Sequence, residues 1–360
     1  MKRKKAIIWG LGNTAKNFYL KKVLYKDYII CAFTDSNREL WGKQYKGIQI
    51  ISPEEIQNFE FDTIIICSIF YTEIFETIID KLKIKNKEIL TYKNIEKNLS
   101  EIICEKYRES NNLEIQESLI YYQLNGFNIF GSYEKETSIV YYVNRDNDGM
   151  PYIIFENKKM YFPKNYLFST SNGKECIFDI LYEQDINSPH LYVKNETEIK
   201  PDSIIVDAGV CEGNFALRFI DNAKKIYLIE SDPIWIEPLK RTFADYQDKV
   251  VFCNKFLARY DSESTITLDS LVKERIDFLK MDIEGAEIDA LLGGKRVLNE
   301  SNARCSICSY HKQNDEENIK FILNSLGYQT STSKGYMFFV YDEDISYSMD
   351  FRRGIVYGKK

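Results

Sequence analysis

No stretch of this 360-residue chain is apolar for long enough to cross a membrane. The N-terminus also lacks the apolar core and small-residue cleavage site of a secretory leader. Prolines number only seven and low-complexity tracts are missing, which argues against long disorder. There is no excess of positive charge: the net charge is −6, so the sequence as a whole carries no nucleic-acid footprint. The basic run Met1-Lys2-Arg3-Lys4-Lys5 leads directly into an apolar strand and reads as its solubilising start. Eight scattered cysteines, several inside apolar runs, look like small buried hydrophobes in a reducing compartment. The expected setting is the cytoplasm.

What is present suits a soluble α/β protein. The chain is 44% hydrophobic and 28% charged, and its length fits two domains with a connector. The pattern predicts a Rossmann-like domain over 1–105, a β-rich connector or cap over 106–200, and an α/β domain over 201–360. In the first, strands are expected at Lys5-Ala6-Ile7-Ile8-Trp9, at 28–33, 62–67 and 88–92, with helices at 13–24 and 71–83. Ser52-Pro53-Glu54-Glu55 reads as a helix start, and 95–104 as a helical exit. The Tyr- and Phe-rich middle reads as hairpins, with turns at Asp148-Gly149 and Asn172-Gly173. In the last domain, strands are expected at 204–206, 225–229, 250–252, 276–281 and 303–310. The runs 336–341 and 354–357 are expected to close that sheet as an antiparallel pair.

Two strand–loop–helix signals carry chemistry. Gly10-Leu11-Gly12-Asn13-Thr14-Ala15 fits GxGxxA after a strand, and Asp35 ends the next strand. This is a dinucleotide fingerprint in its proper context, so Gly10, Gly12, Asn13 and Asp35 form a candidate nucleotide site. A nucleotide-sugar or glycan handle, an NAD site and a scaffold that binds nothing all remain open for it. The second signal is Asp207-Ala208-Gly209-Val210-Cys211-Glu212-Gly213, again between strand and helix, with Glu230 ending the following strand. Glycines there permit a tight turn and close backbone approach, and an acid at that strand end can accept two hydrogen bonds from a ribose diol.

The block Ile276-Asp277-Phe278-Leu279-Lys280-Met281-Asp282-Ile283-Glu284-Gly285-Ala286-Glu287 resembles the hallmark of the FkbM-type methyltransferases. Thr267-Leu268-Asp269-Ser270-Leu271 and Ser309-Tyr310-His311 extend the resemblance, which covers about 192–360. It implies a class I methyltransferase fold, a seven-stranded sheet with one antiparallel strand. It also implies S-adenosylmethionine as cofactor and a hydroxyl of a sugar, nucleotide sugar or surface glycan as acceptor. Val210 and Ser231 depart from the family pattern. The N-terminal part resembles small Rossmann-like domains fused to sugar-modifying transferases, through Phe33-Thr34-Asp35-Ser36-Asn37 and Gly47-Ile48-Gln49-Ile50.

On this reading Asp207, Gly209 and Gly213 shape the pocket for the cofactor's amino-acid part, Glu230 holds its ribose, and Asp282 sits near methyl and acceptor. His311, one of two histidines, is the candidate general base, since an imidazole titrates near neutrality. No metal site is read. Asp282, Glu284 and His311 could hold a divalent cation. Cys305-x-x-Cys308-x-x-His311 has zinc-like spacing, but in a strand residues three apart face opposite ways. His190 reads as an ordinary loop histidine, with a cap residue near the substrate as the other reading. Aromatic residues of the connector are expected near the acceptor. A homodimer is compatible with the chain. The rival functions are an NAD-dependent sugar-nucleotide oxidoreductase or epimerase and a non-catalytic nucleotide-binding protein.

Overall fold

The computed structural model describes residues 3–11, 28–68, 70–135, 139–195, 198–340 and 349–360, and only the backbone of 92, 93 and 95–98. The chain divides into two compact units, Met1–Ser132 with Phe338–Phe351, and Tyr133–Met337 with Arg352–Lys360. The stretch expected as a separate connector is thus shared between them.

The first unit holds strands β1 (Lys4–Trp9), β2 (Tyr28–Thr34), β3 (Gln44–Tyr45), β4 (Ile48–Ile51), β5 (Thr63–Ile66) and β6 (Glu88–Thr91), ordered β3-β4-β2-β1-β5-β6. All neighbours are parallel except the β3–β4 hairpin. Ile7, Trp9, Ile64 and Ile66 on one face and Ala6, Ile8 and Ile65 on the other are all buried, as expected where a parallel sheet is covered on both faces. The Ser52 start is real: Glu55 reaches back to the Ser52 amide at 2.7 Å, opening a 3-10 helix Pro53–Asn58. The helix expected at 13–24 lies outside the described residues.

Immediately after the helix Tyr92–Tyr107 the expectation of hairpins fails for residues 113–125. Residues Leu113–Asn125 form a second helix, started by the Asn112 side chain accepting from the amides of Glu114 and Ile115. Its β-branched and aromatic residues suggested strand, but Ile115, Leu119 and Tyr122 recur at helical spacing and are buried, so packing overrides propensity.

The second unit begins with hairpins: β7 (Val140–Tyr142), β8 (Asn144–Arg145), β9 (Pro151–Phe155), β10 (Lys158–Tyr161), β11 (Ser169–Ser171) and β12 (Lys174–Phe178). They form two antiparallel sheets, β10-β9-β8 and β11-β12-β7. The Asn172-Gly173 turn has positive φ at both residues, 50° and 73°, the conformation a two-residue hairpin loop requires.

Then follow β13 (Ser203–Ala208), β14 (Ala223–Ile229), β15 (Val250–Cys253), the small pair β16 (Phe256–Leu257) and β17 (Thr265–Ile266), β18 (Phe278–Met281), β19 (Arg304–Cys308), β20 (Gln329–Thr332) and β21 (Ile355–Lys359). The main sheet runs β15-β14-β13-β18-β19-β21-β20, with only β21 antiparallel to its neighbours. The partner of β21 is therefore β20, not the run at 336–341. Met337 makes only an isolated bridge to Arg352, and residue 341 lies outside the described residues. Val206, Leu279, Met281 and Ile307 carry the core on one face, against Leu291, Ile319 and Leu323 from the covering helices.

Candidate active site

The parallel strands β13, β14, β18 and β19 end on one edge, where open α/β sheets place ligands. A cavity of about 760 Å³ opens there. Its floor is the loop after β13. Gly209 has φ +78°, and a Cβ on it would lie 1.7 Å from the carbonyl oxygen of Asp282, so this position admits only glycine. Gly213, at φ +86°, starts the helix Asn214–Phe219 with its bare Cα against Leu239 and Phe243.

Lys280, fully enclosed in β18, ties the loop from below. Its Nζ pairs with Asp207 Oδ1 at 3.1 Å and donates to the carbonyls of Gly209 (2.5 Å) and Ala208 (3.4 Å). Burial pushes the Asp207 carboxyl up, and Lys280 opposes that rise. Asp207 is thus a strut beneath the loop: it and Gly213 do not line the cavity, whereas Gly209, Glu230 and Asp282 do. Glu230 accepts from the Cys211 amide with Oε2 (2.9 Å) and from the Asp232 amide with Oε1 (2.8 Å).

Asp282 is the hub of the far wall. Its Oδ2 accepts from the Tyr192 hydroxyl at 2.6 Å, and its Oδ1 from the Tyr310 hydroxyl at 3.3 Å. Two buried imidazoles stand behind it: His190 Nε2 is 3.5 Å from Oδ2, and His311 Nε2 is 3.4 Å from Oδ1. Each turns its Nδ1 to a second carboxylate, Glu183 at 3.0 Å and Glu287 at 3.1 Å. Burial alone would raise the Asp282 carboxyl, but His190, His311 and Lys280 hold it well below the usual range. Burial opposes charge on His190 too, yet Asp282 and Glu183 lift it to about 9. His311 is likewise raised against its burial, by Glu287, Asp282 and Glu284.

These positions redistribute the expected roles. His311 comes together with Asp282 as anticipated, but it faces the carboxylate and not the cavity, and its environment favours the protonated form. His190, taken for a loop residue, is only 1% exposed and sits in the same cluster. Tyr192 and Glu183, both cavity-lining, had no motif to betray them, and Tyr310, also cavity-lining, lies in the Ser309-Tyr310-His311 strand end but was given no role. The two strand cysteines separate as their spacing requires: Cys305 joins the core, while Cys308 Sγ approaches His190 Nε2 at 3.4 Å. The connector supplies an aromatic wall, with the Trp235 ring 6.2 Å from Phe162 and 5.9 Å from Tyr166.

In the first unit Gly10, at φ +106°, lets the chain after β1 pass the Cys67 carbonyl, which a Cβ would meet at 2.7 Å. Asp35 accepts from the Leu11 amide (2.7 Å) and the Asn37 amide (2.8 Å). Gly12 and Asn13 lie outside the described residues.

The strand order of the second unit, its single antiparallel strand and a cavity over the ends of β13, β14 and β18 define the class I methyltransferase fold. Residues 240–337 match the model of the Methyltransferase FkbM domain, and residues 2–90 match that of the C2185-like N-terminal domain. The block around Asp282 lies inside the first match; the glycine loop and Glu230 lie outside it. Among solved structures the chain is similar to the methyltransferase FkbM from Methylobacillus flagellatus KT, at 15% identity and TM-score 0.43 over 99% of this chain and 90% of that one. It is also similar to the magnesium protoporphyrin IX methyltransferase from Synechocystis PCC 6803, at 14% identity and TM-score 0.31 over 45% and 71%. The UDP-D-quinovosamine 4-dehydrogenase from Vibrio fischeri is similar over 25% of this chain and 78% of that one, at 22% identity and TM-score 0.21. No curated protein matches the chain. Among the described residues no helix is long and apolar enough to cross a membrane.

Proposed function

We propose that this protein is a cytoplasmic S-adenosylmethionine-dependent O-methyltransferase acting on a hydroxyl of a sugar, nucleotide sugar or bacterial surface glycan. The observation that carries the cofactor is Glu230. Each of its oxygens takes one backbone N–H, and a carboxylate oxygen can accept two hydrogen bonds, so acceptor positions remain for a ribose diol at the cavity edge. Gly209 lets the loop after β13 pass close against the Asp282 backbone, which brings the ends of β13 and β18 together at the cavity floor. When bound, the cofactor supplies an electrophilic methyl group.

The chain's own residues then position and deprotonate the acceptor. Tyr192 and Tyr310 orient an incoming hydroxyl from the cavity wall, and Asp282, held ionised between two imidazoles, accepts its hydrogen bond and relays its proton to water in the cavity as the new bond forms. His311 and His190 act through Asp282, setting its position and charge. The aromatic wall at Phe162, Tyr166 and Trp235 suits the apolar face of a sugar ring. The Asp35 arrangement in the first unit supports a nucleotide or nucleotide-sugar handle there.

The test is incubation with isotopically labelled S-adenosylmethionine and a panel of nucleotide sugars and capsule-type glycans, read by mass. One acceptor is expected to gain the mass of the labelled methyl group less that of the hydroxyl hydrogen it replaces. Absence of binding to both S-adenosylmethionine and S-adenosylhomocysteine overturns the reading.

A further inference from the structure

The cluster behind Asp282 is richer than proton handling at one carboxylate needs. Cys308 Sγ lies 3.4 Å from His190 Nε2, which lies 3.5 Å from Asp282 Oδ2. These three ligand types meet within one small volume, two of them buried and the third on the cavity wall. We propose that Cys308, His190 and Asp282 form a tetrahedral site for a zinc-type divalent cation, with its fourth position open to an oxygen donor from the cavity.

The separations carry the argument. A tetrahedral ion with metal–sulfur and metal–nitrogen or –oxygen bonds of about 2.3 and 2.0–2.1 Å sets its ligands roughly 3.3–3.6 Å apart. The two separations from His190 fall in that interval, and Cys308 and Asp282 place ligand atoms within 4.8 Å of each other. The outer shell agrees. A metal-bound imidazole usually gives its other N–H to a carboxylate, and His190 Nδ1 faces Glu183 Oε2 at 3.0 Å. Thiolate, imidazole and carboxylate together suit zinc or cobalt better than magnesium. Binding displaces the Cys308 thiol proton and the His190 Nε2 proton, and both leave to solvent.

The second cluster, Asp282, Glu287 and His311, is a poorer host. Glu287 Oε1 already accepts from the Ile283 amide and faces His311 Nδ1, and that set offers no thiolate. Three protein ligands with one open position is the pattern of a catalytic zinc. Its use here, polarising the acceptor oxygen, rests on the methyl-transfer reading. The metal site itself does not.

The experiment separates the two. The full chain, stripped with a chelator and dialysed, is titrated with Co²⁺ and followed by absorption. One equivalent should bind per chain, giving intense tetrahedral visible bands and a near-ultraviolet thiolate-to-cobalt band. Cys308→Ser should lose the near-ultraviolet band, while Cys211→Ser and Cys305→Ser keep it. Glu183→Gln alters only the outer carboxylate on a half-exposed side chain, so the protein stays folded, and Co²⁺ binding should weaken about 10–100-fold. No stoichiometric binding by the unmodified chain overturns the proposal. So does a thiolate band that survives Cys308→Ser, or Co²⁺ affinity unchanged by Glu183→Gln. Metal binding without S-adenosylhomocysteine binding would keep this site and sink the methyl-transfer reading.

Discussion

Glu230 and the backbone amide of Cys211 are joined by a 2.9 Å hydrogen bond, so the acid at the end of β14 holds the glycine loop as well as facing the cavity. The first unit repeats the device: Asp35, just past the end of β2, holds the amide of Leu11. In both sheets a glycine after the first strand passes a neighbouring carbonyl too closely for a Cβ, Cys67 beside Gly10 and Asp282 beside Gly209. The acid pins the turn that this close passage creates.

Replacing Glu230 by Gln keeps its size but removes the charge and puts an NH₂ where an acceptor is needed. Hydrogen bonds to charged groups contribute about 1.5–3 kcal/mol each, so loss of one toward the ligand weakens binding about 10–100-fold. Isothermal titration with S-adenosylhomocysteine checks this; an unchanged Kd would show that Glu230 serves the loop alone.

Gly209→Ala meets two penalties, a positive φ of 78° and a contact of 1.7 Å with backbone. The first costs roughly 1–2 kcal/mol. The second forces the β13 and β18 ends apart, so urea unfolding should show a greater loss than for Gly149→Ala. Gly149 has φ +75° but nothing within 4 Å of its added Cβ, making it the matched control for strain alone.

Lys280→Met leaves Asp207 buried with no counter-charge, where removal of one partner of a buried pair costs about 3–5 kcal/mol. Adding Asp207→Asn to that variant should recover much of the loss. A double mutant no more stable than Lys280→Met would mean that the lysine acts through the carbonyls of Gly209 and Ala208.

Much of this arrangement was legible in the chain. Ile205, Val206, Leu279 and Met281 announce buried parallel strands because both faces of the sheet are covered, and the glycines mark turns that only glycine can make. The edge strand β20 was not legible: Gln329-Thr330-Ser331-Thr332 is polar because an edge faces water, so no apolar run exposes it. Nor was the wall formed by Glu183, His190 and Tyr192. They lie on a short 3-10 turn and the irregular chain after it, with no periodicity, and only the tertiary fold carries His190 and Tyr192 to Asp282 and Glu183 to His190.

The buried histidine makes stability depend on pH in a definite direction. His190 is lifted from an ordinary value of 6.5 to about 9 by Asp282 and Glu183, against its burial. Its folded pKa exceeds its unfolded one, so its contribution is complete below pH 6.5 and fades as pH rises to about 9. His311, raised by Glu287, acts in the same sense. Thermal unfolding of the metal-free protein from pH 6 to pH 10 should show Tm falling across this window, with a shallower fall in His190→Gln. A Tm that holds level to pH 9 in the unmodified protein would mean that His190 is neutral when folded, and that Asp282 gains no charge from it.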